Sequence, residues 1–395
     1  MQAEVNIGLL GHVDHGKTTL TKALTGKWTD THSEEIKRGI SIRLGYADAN
    51  LYQCRKCSKY LLSEKCGCGG SGEFKRRISF VDAPGHETLM TTVISASSIL
   101  DGALFLIAAN ETCPMPQTAE HLIVLNLVGI KNVVVVQTKI DLVTKEKALE
   151  NCKQIKEFLK GSVAENAPIV PIAANYNINI DKLLAVIDQT IVTPKRELDK
   201  PLRVYISRSF DINKPGAQIA KLKGGVIGGS ITQGLLKRGE ELELRPGIVR
   251  KEGAKPIPII FTANELREEN DVLDEAKPGG LIAIGTSIDP AITKSDALVG
   301  SVIGKVGQLD EVVDTLKLKY ELLKRKDIEN PPLKKDEVLV VNINTATSVG
   351  VIVQLAKGTA TVKLKKQIVA DRHSKVAISR RLGQRWRLSG WAQIV

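Results

Sequence analysis

Gly11-His12-Val13-Asp14-His15-Gly16-Lys17-Thr18 lies between an apolar run, residues 5–10, and a helix-like segment, residues 18–24. A strand, a glycine-rich loop and a helix in this order make a phosphate-binding loop. Its glycines let successive backbone N–H groups approach phosphates, its lysine reaches the β- and γ-phosphate oxygens, and its threonine hydroxyl binds Mg²⁺. A glycine turn that precedes a lysine by chance would not be expected to have a strand before it and a helix after it. We therefore expect an α/β domain that binds a nucleoside triphosphate.

The base of the nucleotide is indicated by Thr138-Lys139-Ile140-Asp141, which follows the apolar residues 132–137. Guanine-reading proteins carry an Asn-Lys-x-Asp element at this place. The Asp141 carboxylate accepts hydrogen bonds from N1–H and the 2-amino group of guanine, and adenine has neither donor, so GTP is expected rather than ATP. Lys139 would lay its alkyl stem over the base. Thr138 replaces the usual Asn, and one hydroxyl does not supply both the donor and the acceptor of an amide.

A second base contact is expected at Ala173-Ala174-Asn175, after the strand-like residues 169–172. A Ser-Ala-x turn at this place offers backbone N–H groups to guanine O6. The usual first Ser is absent here, but the contact is made by the backbone, so the turn stays a candidate. Taken alone, it is typical of an ordinary loop.

Asp82-Ala83-Pro84-Gly85-His86 follows the apolar residues 78–81 and indicates a nucleotide-sensing switch. An Asp at the end of a strand beside the phosphate loop holds Mg²⁺ through water, and the Gly85 N–H senses the γ-phosphate. His86 stands where a hydrolytic GTPase keeps the residue that orients the attacking water. A lone histidine is usually a solvated or core side chain, but its place in this element favours the functional interpretation.

A second switch is predicted in the polar loop 34–41. The Ser41 hydroxyl would complete the Mg²⁺ shell only while the γ-phosphate is present, so the triphosphate would order both switches and hydrolysis would release them. Together with Asp141, the switches exclude a simple phosphotransferase. We expect an enzyme that hydrolyses GTP to GDP and phosphate.

Four of the six cysteines, Cys54, Cys57, Cys66 and Cys68, form a C-x₂-C-x₈-C-x-C pattern within an insertion, residues 52–72. The spacing is close to that of a zinc ribbon. The last pair has one residue fewer than the usual C-x₂-C, which removes an N–H that would donate to a thiolate, so a reduced zinc affinity is expected. Zinc is favoured over free thiols. Disulfides come third because a cytosolic GTPase is kept under reducing conditions.

Residues 1–198 alternate apolar strands with helix-like stretches, which predicts a GTP-binding domain on a doubly wound sheet. Residues 193–201 are polar and indicate a linker. Beyond it, short β-branched runs separated by glycine and proline predict two all-β barrel domains. We place these barrels at residues 199–310 and residues 311–395.

Composition agrees with this organisation. The chain has 395 residues, 43% of them apolar, enough for two or three domains with real cores. Lys and Arg number 56 against 44 Asp and Glu, which gives a net charge of +12 and a pI near 9.3. This balance favours an anionic partner such as RNA, although a solvated lysine-rich surface produces the same balance. With no signal peptide and no apolar run of the ~18 residues that a membrane helix needs, we expect a cytoplasmic protein without a membrane partner.

Three of these motifs, taken in order, resemble the translational GTPases, the class of elongation factor Tu: residues 11–18, Arg-Gly-Ile-Ser at 38–41 and residues 82–86. Three further segments are similar to the gamma subunit of archaeal and eukaryotic translation initiation factor 2. They are residues 44–48 with the cysteines that follow, the glycine-rich residues 221–230 and the C-terminal residues 377–387. The resemblance runs from about residue 4 to the end of the chain.

The resemblance implies a role for each matching residue. The phosphates would be held by residues of the loop and the first switch glycine: Asp14, His15, Gly16, Lys17, Thr18, Thr19 and Gly85. The base would be read by Thr138, Lys139, Asp141, Ala173, Ala174 and Asn175. Mg²⁺ would be bound by Thr18 and Ser41 directly and by Asp82 through water, and a second cation by Asp14 and the Gly39 carbonyl. Asp14 and His86 would support hydrolysis.

Partners are also implied by the resemblance. Tyr46 falls where the family binds the terminal adenosine of a charged tRNA, and its ring would stack there; a core or rim tyrosine explains the residue as well. The family's gamma subunit binds initiator methionyl-tRNA with GTP, joins alpha and beta subunits in a heterotrimer, and delivers the tRNA to the small ribosomal subunit. Two other classes stay open: a tRNA carrier of the elongation or selenocysteine type, and the GTPase subunit of sulfate adenylyltransferase.

Overall fold

The computed structural model of the chain describes residues 2–29, 44–85, 90–214, 216, 218, 221–249, 254–269, 271–323, 329–371, 374–383 and 385–395. The chain forms two compact units, residues 3–195 and residues 196–395.

A seven-stranded sheet forms the centre of the first unit. Its strands are β1 (Val5–Gly11), β2 (Gly45–Cys54), β3 (Tyr60–Leu61), β4 (Gly72–Asp82), β5 (Gly102–Ala108), β6 (Val133–Thr138) and β7 (Ile169–Pro171). They lie in the order β3-β2-β4-β1-β5-β6-β7, and the five strands from β4 to β7 in that order are parallel. Every residue of β1 and β5 is buried, as expected of parallel strands covered on both faces.

Helices cover this sheet: α1 (Lys17–Thr25), α2 (Met90–Ser97), α3 (Pro116–Val128), α4 (Lys145–Leu159) and α5 (Ile180–Thr190). Leu20 of α1 and Leu183 of α5 share one apolar core with alternate residues of β1, such as Ile7. Helix α4 begins after Thr144, whose hydroxyl accepts a hydrogen bond from the Lys147 N–H and so caps the helix. The predicted doubly wound α/β domain is confirmed.

The insertion extends this sheet as a hairpin. β2 pairs antiparallel with β4 from Gly45 opposite Asp82 to Cys54 opposite Gly72. The apolar pattern predicts only residues 78–81 of β4 and does not predict β2. The reason is physical: the outer half of β4 alternates exposed and half-buried residues, so it lacks the continuous apolar run that marks the buried strands.

The second unit begins with a closed barrel. Its strands are β8 (Arg203–Phe210), β9 (Val226–Gln233), β11 (Glu241–Ile248), β12 (Ile257–Glu268), β15 (Ile282–Thr286) and β16 (Val302–Lys305); β10 (Leu236–Lys237), β13 (Asp271–Leu273), β14 (Glu275–Ala276) and helix α6 (Pro290–Thr293) are added outside this ring. The pairing of β11 with both β12 and β16 closes the ring.

The glycine-rich segment before and within β9 lies against neighbouring backbone. A Cβ atom at Gly224 would lie 1.8 Å from the Thr286 carbonyl oxygen, and one at Gly229 would lie 2.5 Å from the Tyr205 oxygen. Only glycine permits such an approach.

A second closed barrel follows, with strands β17 (Val312–Leu322), β18 (Val338–Ile343), β19 (Ala346–Ala356), β20 (Thr359–Val369), β21 (Lys375–Leu382) and β22 (Arg385–Ile394). They close in the order β17-β20-β19-β18-β21-β22. Alternate residues such as Leu318, Leu339, Ile352 and Val362 fill its core. The two predicted barrels are confirmed; their predicted boundaries at residues 198 and 310 stay predictions. In the part of the chain that the structure describes, no helix is long and apolar enough to cross a membrane.

Candidate functional site

The loop between β1 and α1 has the backbone of a phosphate cradle. Asp14 and Gly16 have φ angles of 63° and 84°, the left-handed region that glycine favours and that Asp tolerates better than most residues. Helix α1 begins at Lys17. The first N–H groups of a helix have no acceptor within the helix and carry partial positive charge, so this loop concentrates hydrogen-bond donors.

Lys17 is folded back over this loop. Its ammonium donates to the carbonyl oxygens of Gly11, at 3.0 Å, and His12, at 2.8 Å, and the side chain is buried. Gly85, at the end of the Asp82 segment, lies against the same ammonium: a Cβ atom there would lie 2.4 Å from Lys17 Nζ and 2.9 Å from the Val13 nitrogen. This contact explains why the segment needs glycine at residue 85.

Two hydroxyls converge on Asp82. Thr18 Oγ1 donates to Asp82 Oδ2 at 2.8 Å, and Thr29 Oγ1 donates to the same oxygen at 2.7 Å. Asp82 ends β4 in register with Gly45 and next to Leu9 of β1. Hydroxyl and carboxylate oxygens are the ligands, direct or through water, that Mg²⁺ prefers.

His15 lies beneath the loop, almost fully buried. Its Nδ1 is 2.9 Å from the Leu106 carbonyl oxygen and its Nε2 is 3.1 Å from Glu111 Oε2. The pKa of His15 is lowered, because the effect of burial exceeds the opposing effects of the Leu106 carbonyl and the Glu111 carboxylate. Both ring nitrogens of His15 thus lie within hydrogen-bonding distance of a neighbouring oxygen, which fixes the ring beside the phosphate loop.

The two predicted base elements meet the phosphate loop. The Thr138 hydroxyl donates to the His15 carbonyl oxygen at 2.9 Å. β6 and β7 continue side by side, since the Ile172 N–H donates to Gln137 O at 2.8 Å and the Ile140 N–H donates to Ile172 O at 3.3 Å. The structure thus brings residues 138–141 and 173–175 to one edge of the sheet, together with the loop.

Single positions complete the comparison with the predicted site. Lys139 has a φ of 57°, Asp141 and Asn175 are exposed, and Ala173 is buried. Tyr46 lies on β2 opposite Val81, one residue from the partner of Asp82. The predicted site residues Gly39, Ser41 and His86 lie outside the described residues.

Several side chains near the phosphate loop belong to no sequence motif. Thr29, which donates to Asp82, and Glu111, beside His15, are two of them. Gln117 is a third, and it accepts a hydrogen bond from the Val13 N–H at 3.3 Å. His121 is fully buried on α3, and burial, with a smaller effect of the Lys17 charge, lowers its pKa to about 3. Thr29 follows the loop closely in sequence, whereas Glu111, Gln117 and His121 lie about a hundred residues beyond it. They form no recognisable spacing with the loop residues, so no motif identifies them.

The four insertion cysteines come together in space. All four Sγ atoms lie within 4.8 Å of one another, with Cys54–Cys68, Cys57–Cys66 and Cys57–Cys68 separations of 3.6, 3.5 and 3.5 Å. Four thiolates around one zinc at ~2.3 Å would be ~3.8 Å apart.

Backbone donors surround this cluster. The Cys57 N–H, with that of Lys56, lowers the pKa of the Cys54 thiol to about 6. The Gly70 N–H donates to Cys68 and lowers its pKa, but the neighbouring thiols Cys66, Cys57 and Cys54 outweigh it and raise that pKa to about 12. The C-x-C pair thus has a backbone donor from Gly70, which the spacing alone did not predict.

The insertion is attached to the last helix of the unit. The Tyr60 hydroxyl donates to Asp188 Oδ2 at 3.0 Å, and Asp188 Oδ1 pairs with Arg76 Nε at 3.0 Å. Arg76 is buried and its guanidinium also donates to the carbonyl oxygens of Ile191, at 2.7 Å, and Ile187, at 3.3 Å. A cation at these C-terminal carbonyls of α5 is stabilised by the helix dipole.

Family models match most of the chain. Residues 2–193 match the elongation factor Tu GTP binding domain, and residues 314–394 match the C-terminal domain of initiation factor eIF2 gamma. These matches and the loop geometry define a translational GTPase.

Curated relatives and solved structures specify the family. The chain is 53% identical to the translation initiation factor 2 subunit gamma of Methanococcus maripaludis over 405 residues and 52% identical to that of Pyrococcus horikoshii over 401, covering all of this chain and 99% and 98% of theirs. A bacterial selenocysteine-specific elongation factor superposes with a TM-score of 0.77 at 27% identity, and this chain spans 58% of it. Elongation factor SelB from Methanococcus maripaludis, in complex with a GTP analogue, gives 0.75 at 23% identity, with 79% of it covered, and shows the fold alone.

The chain belongs to the family of translation initiation factor 2 gamma subunits. It is a GTPase, and its function is that of a GTP-dependent initiation factor.

The Thr138 hydrogen bond generates the first prediction. Thr138→Val removes the donor and leaves the buried His15 carbonyl without it, so the free energy of unfolding should fall by ~1–3 kcal/mol. GDP and GTP should also bind more weakly, because the phosphate loop loses the contact that positions it. Thr138→Ser keeps the hydroxyl and should bind as wild type. Titration with a fluorescent GDP analogue measures both, and thermal unfolding without nucleotide controls for stability. Equal affinity of the Val and Ser variants would show that the hydrogen bond does not position the loop.

Proposed function

We propose that this chain, in its GTP state and with alpha- and beta-type subunits in a heterotrimer, binds initiator methionyl-tRNA and delivers it to the small ribosomal subunit in the cytoplasm. Hydrolysis of GTP then releases the tRNA. The observation that carries this proposal is the 53% identity over the whole chain to a relative named as the gamma subunit of translation initiation factor 2. A gamma subunit implies partner subunits. A selenocysteine-type tRNA carrier is the second candidate, favoured only by the TM-score of 0.77.

The phosphate loop fits a nucleoside triphosphate and Mg²⁺. We assign the phosphates to residues of the loop, Asp14, His15, Gly16, Lys17, Thr18 and Thr19, with Gly85. The cradle supports this assignment, because a Cβ at Gly85 would fill the space beside the Lys17 ammonium. Thr18, whose hydroxyl lies 2.8 Å from Asp82, would bind Mg²⁺ directly with Ser41, and Asp82 would hold it through water. Asp14 and the Gly39 carbonyl would hold a second cation. When bound, Mg²⁺ neutralises charge on the β- and γ-phosphates.

We assign guanine recognition to Thr138, Lys139, Asp141, Ala173, Ala174 and Asn175, and the hydrolytic step to His86 and Asp14. His86 would orient the attacking water, and Lys17 would stabilise charge on the phosphate oxygens. The position of Gly85 against the Lys17 ammonium supports this assignment, because Gly85 immediately precedes His86 in the sequence.

The cysteine cluster fits zinc. Four sulfurs within 4.8 Å of one another and the three backbone donors described above match a closed tetrahedral thiolate site. We propose that Cys54, Cys57, Cys66 and Cys68 bind one structural Zn²⁺, and that the Tyr60 and Arg76 contacts with Asp188 attach this site to α5.

The base assignment gives the second prediction. Because Asp141 would accept from two guanine donors, Asp141→Asn should weaken GTP binding and improve binding of xanthosine triphosphate, which has an acceptor where guanine has its amine. Competition titrations with both nucleotides measure the change in preference. A variant that prefers GTP as strongly as wild type would contradict the assignment of Asp141.

Elemental analysis checks the third prediction. The chain purified without chelator should contain close to one zinc per molecule, and Cys54→Ser should release it while GTP binding survives, because the cluster is separate from the phosphate loop. Cys152→Ser is the matched control, since this cysteine lies outside the cluster. A chain free of zinc after such purification would refute the zinc site.

The fourth prediction tests the proposed function. The chain with its alpha-type partner should bind initiator methionyl-tRNA more tightly with GTP than with GDP, and by reciprocity the tRNA should favour GTP by the same factor. Binding should weaken steeply with salt, because each neutralised phosphate releases counterions. Tyr46→Ala should cost ~1–3 kcal/mol if the ring stacks on the terminal base, whereas Tyr46→Phe keeps the ring.

Filter binding with charged initiator, uncharged initiator and elongator methionyl-tRNA provides the measurement. Equal affinity in the two nucleotide states, or for charged and uncharged tRNA, would refute the proposal. Preference for a selenocysteinyl tRNA would favour the second candidate.

A further inference from the structure

One outer side of the second barrel carries an apolar surface, the valine face, formed by Val338, Val349, Val351, Val353 and Trp386. Their side chains are 45, 40, 37, 45 and 40% exposed. Single exposed apolar residues are normal on a protein surface, and contiguous ones mark interaction sites. Five such residues make an interaction site only if they are neighbours.

Strand register makes them neighbours. Val338 of β18 lies opposite Val351 of β19, and Val340 lies opposite Val349. Arg381 of β21 lies opposite Trp386 of β22 and next to Arg380, the partner of Leu339. Directly opposed residues of antiparallel strands share one face of the sheet. One row across the barrel wall therefore reads Val351, Val338, Arg381 and Trp386.

Alternation confirms that this row faces outward. Leu339 of β18, Ile352 of β19 and Ile378 of β21 are in the barrel core. Successive residues of a strand point to opposite sides, so Val338, Val351 and Arg381 point away from the core. Val349 and Val351 consequently form a stripe along the outside of β19. Val353, at the irregularity in the β19–β20 register between residues 352 and 354, is 45% exposed at the end of this stripe.

Cations border the stripe. Lys363 of β20 lies opposite Val351, and Lys365 lies one residue beyond Leu364, the partner of Gly350. Lys363 Nζ is paired with Asp314 Oδ2 at 2.6 Å. Lys365 and Arg381 are exposed and make no ion pair among the residues that the structure describes. The valine face thus has an apolar centre and a positive border.

We propose that the valine face binds a segment of a partner protein in which apolar and acidic side chains alternate. Its apolar residues would cover the valines and its carboxylates would pair with Lys365 and Arg381. An exposed Trp beside an Arg is the composition of interface hot spots. A nucleic acid fits less well, because the centre of the face offers no donor or cation to phosphates.

A peptide titration with the full chain tests this proposal. Fluorescently labelled peptides of alternating Leu and Glu, of alternating Leu and Lys, and of alternating Ser and Glu are compared by anisotropy with a single-stranded RNA. The Leu–Glu peptide should bind best. Val351→Ser and Arg381→Glu should each weaken it by about tenfold. Val272→Ser is the matched control, because this valine is 49% exposed on β13 of the other barrel.

The charge-reversed variant Lys365→Glu/Arg381→Glu should in addition prefer the Leu–Lys peptide over the Leu–Glu peptide. Thermal unfolding of each variant establishes that the barrel is intact. Failure of the Leu–Glu peptide to bind, an equal loss with Val272→Ser, or binding only of the RNA in a manner that Arg381→Glu abolishes, would each overturn the proposal.

Discussion

Parallel pairing of β1 with β4 on one side and β5 on the other is the constraint on which the nucleotide site depends. It sets Leu9 next to Asp82 and Gly11 next to Leu106. The carboxyl ends of parallel strands meet at one edge, which is where such folds bind ligands. Because the register is fixed, the Thr18 hydroxyl reaches Asp82 and the Lys17 ammonium is held against Gly85. A shift of the β4 register by one residue would point the Asp82 side chain to the opposite face of the sheet, away from Thr18.

The fold and most of the loop could be predicted from sequence because their signals are local. A buried parallel strand is a continuous apolar run, and the phosphate loop is a contiguous motif, so the sequence predicts both β1 and residues 11–18. The barrels followed from β-branched runs divided by glycine and proline. β2 is not predicted, because most of its residues are half-buried and its polar and apolar residues are interspersed. Its position depends on pairing with β4, which sequence periodicity does not reveal.

Support from distant residues could not be predicted for a related reason. The imidazole of His15 contacts Glu111, while Asn151 of α4 donates to the Glu111 carbonyl at 2.9 Å and accepts from Gln137 at 2.8 Å. This largely buried chain of hydrogen bonds links the phosphate loop, β6 and α4. Buried polar groups of this kind must be paired, so each constrains its neighbours. The sequence has no spacing that identifies these hydrogen-bond partners, because they become neighbours only in the folded chain.

Thr138 shows how one departure from a motif is accommodated. The amide usual at this position has donors and an acceptor for two contacts, whereas a hydroxyl has a single hydrogen. In this chain that hydrogen is used on the His15 carbonyl, in a fully buried hydrogen bond. The position therefore keeps its structural contact with the phosphate loop and retains only lone pairs for anything else. The assignment of guanine recognition proposed above therefore gives the side chains of Lys139 and Asp141 and the backbone the contacts that the Thr138 hydroxyl does not make, and the substitution separates two tasks that one amide normally combines.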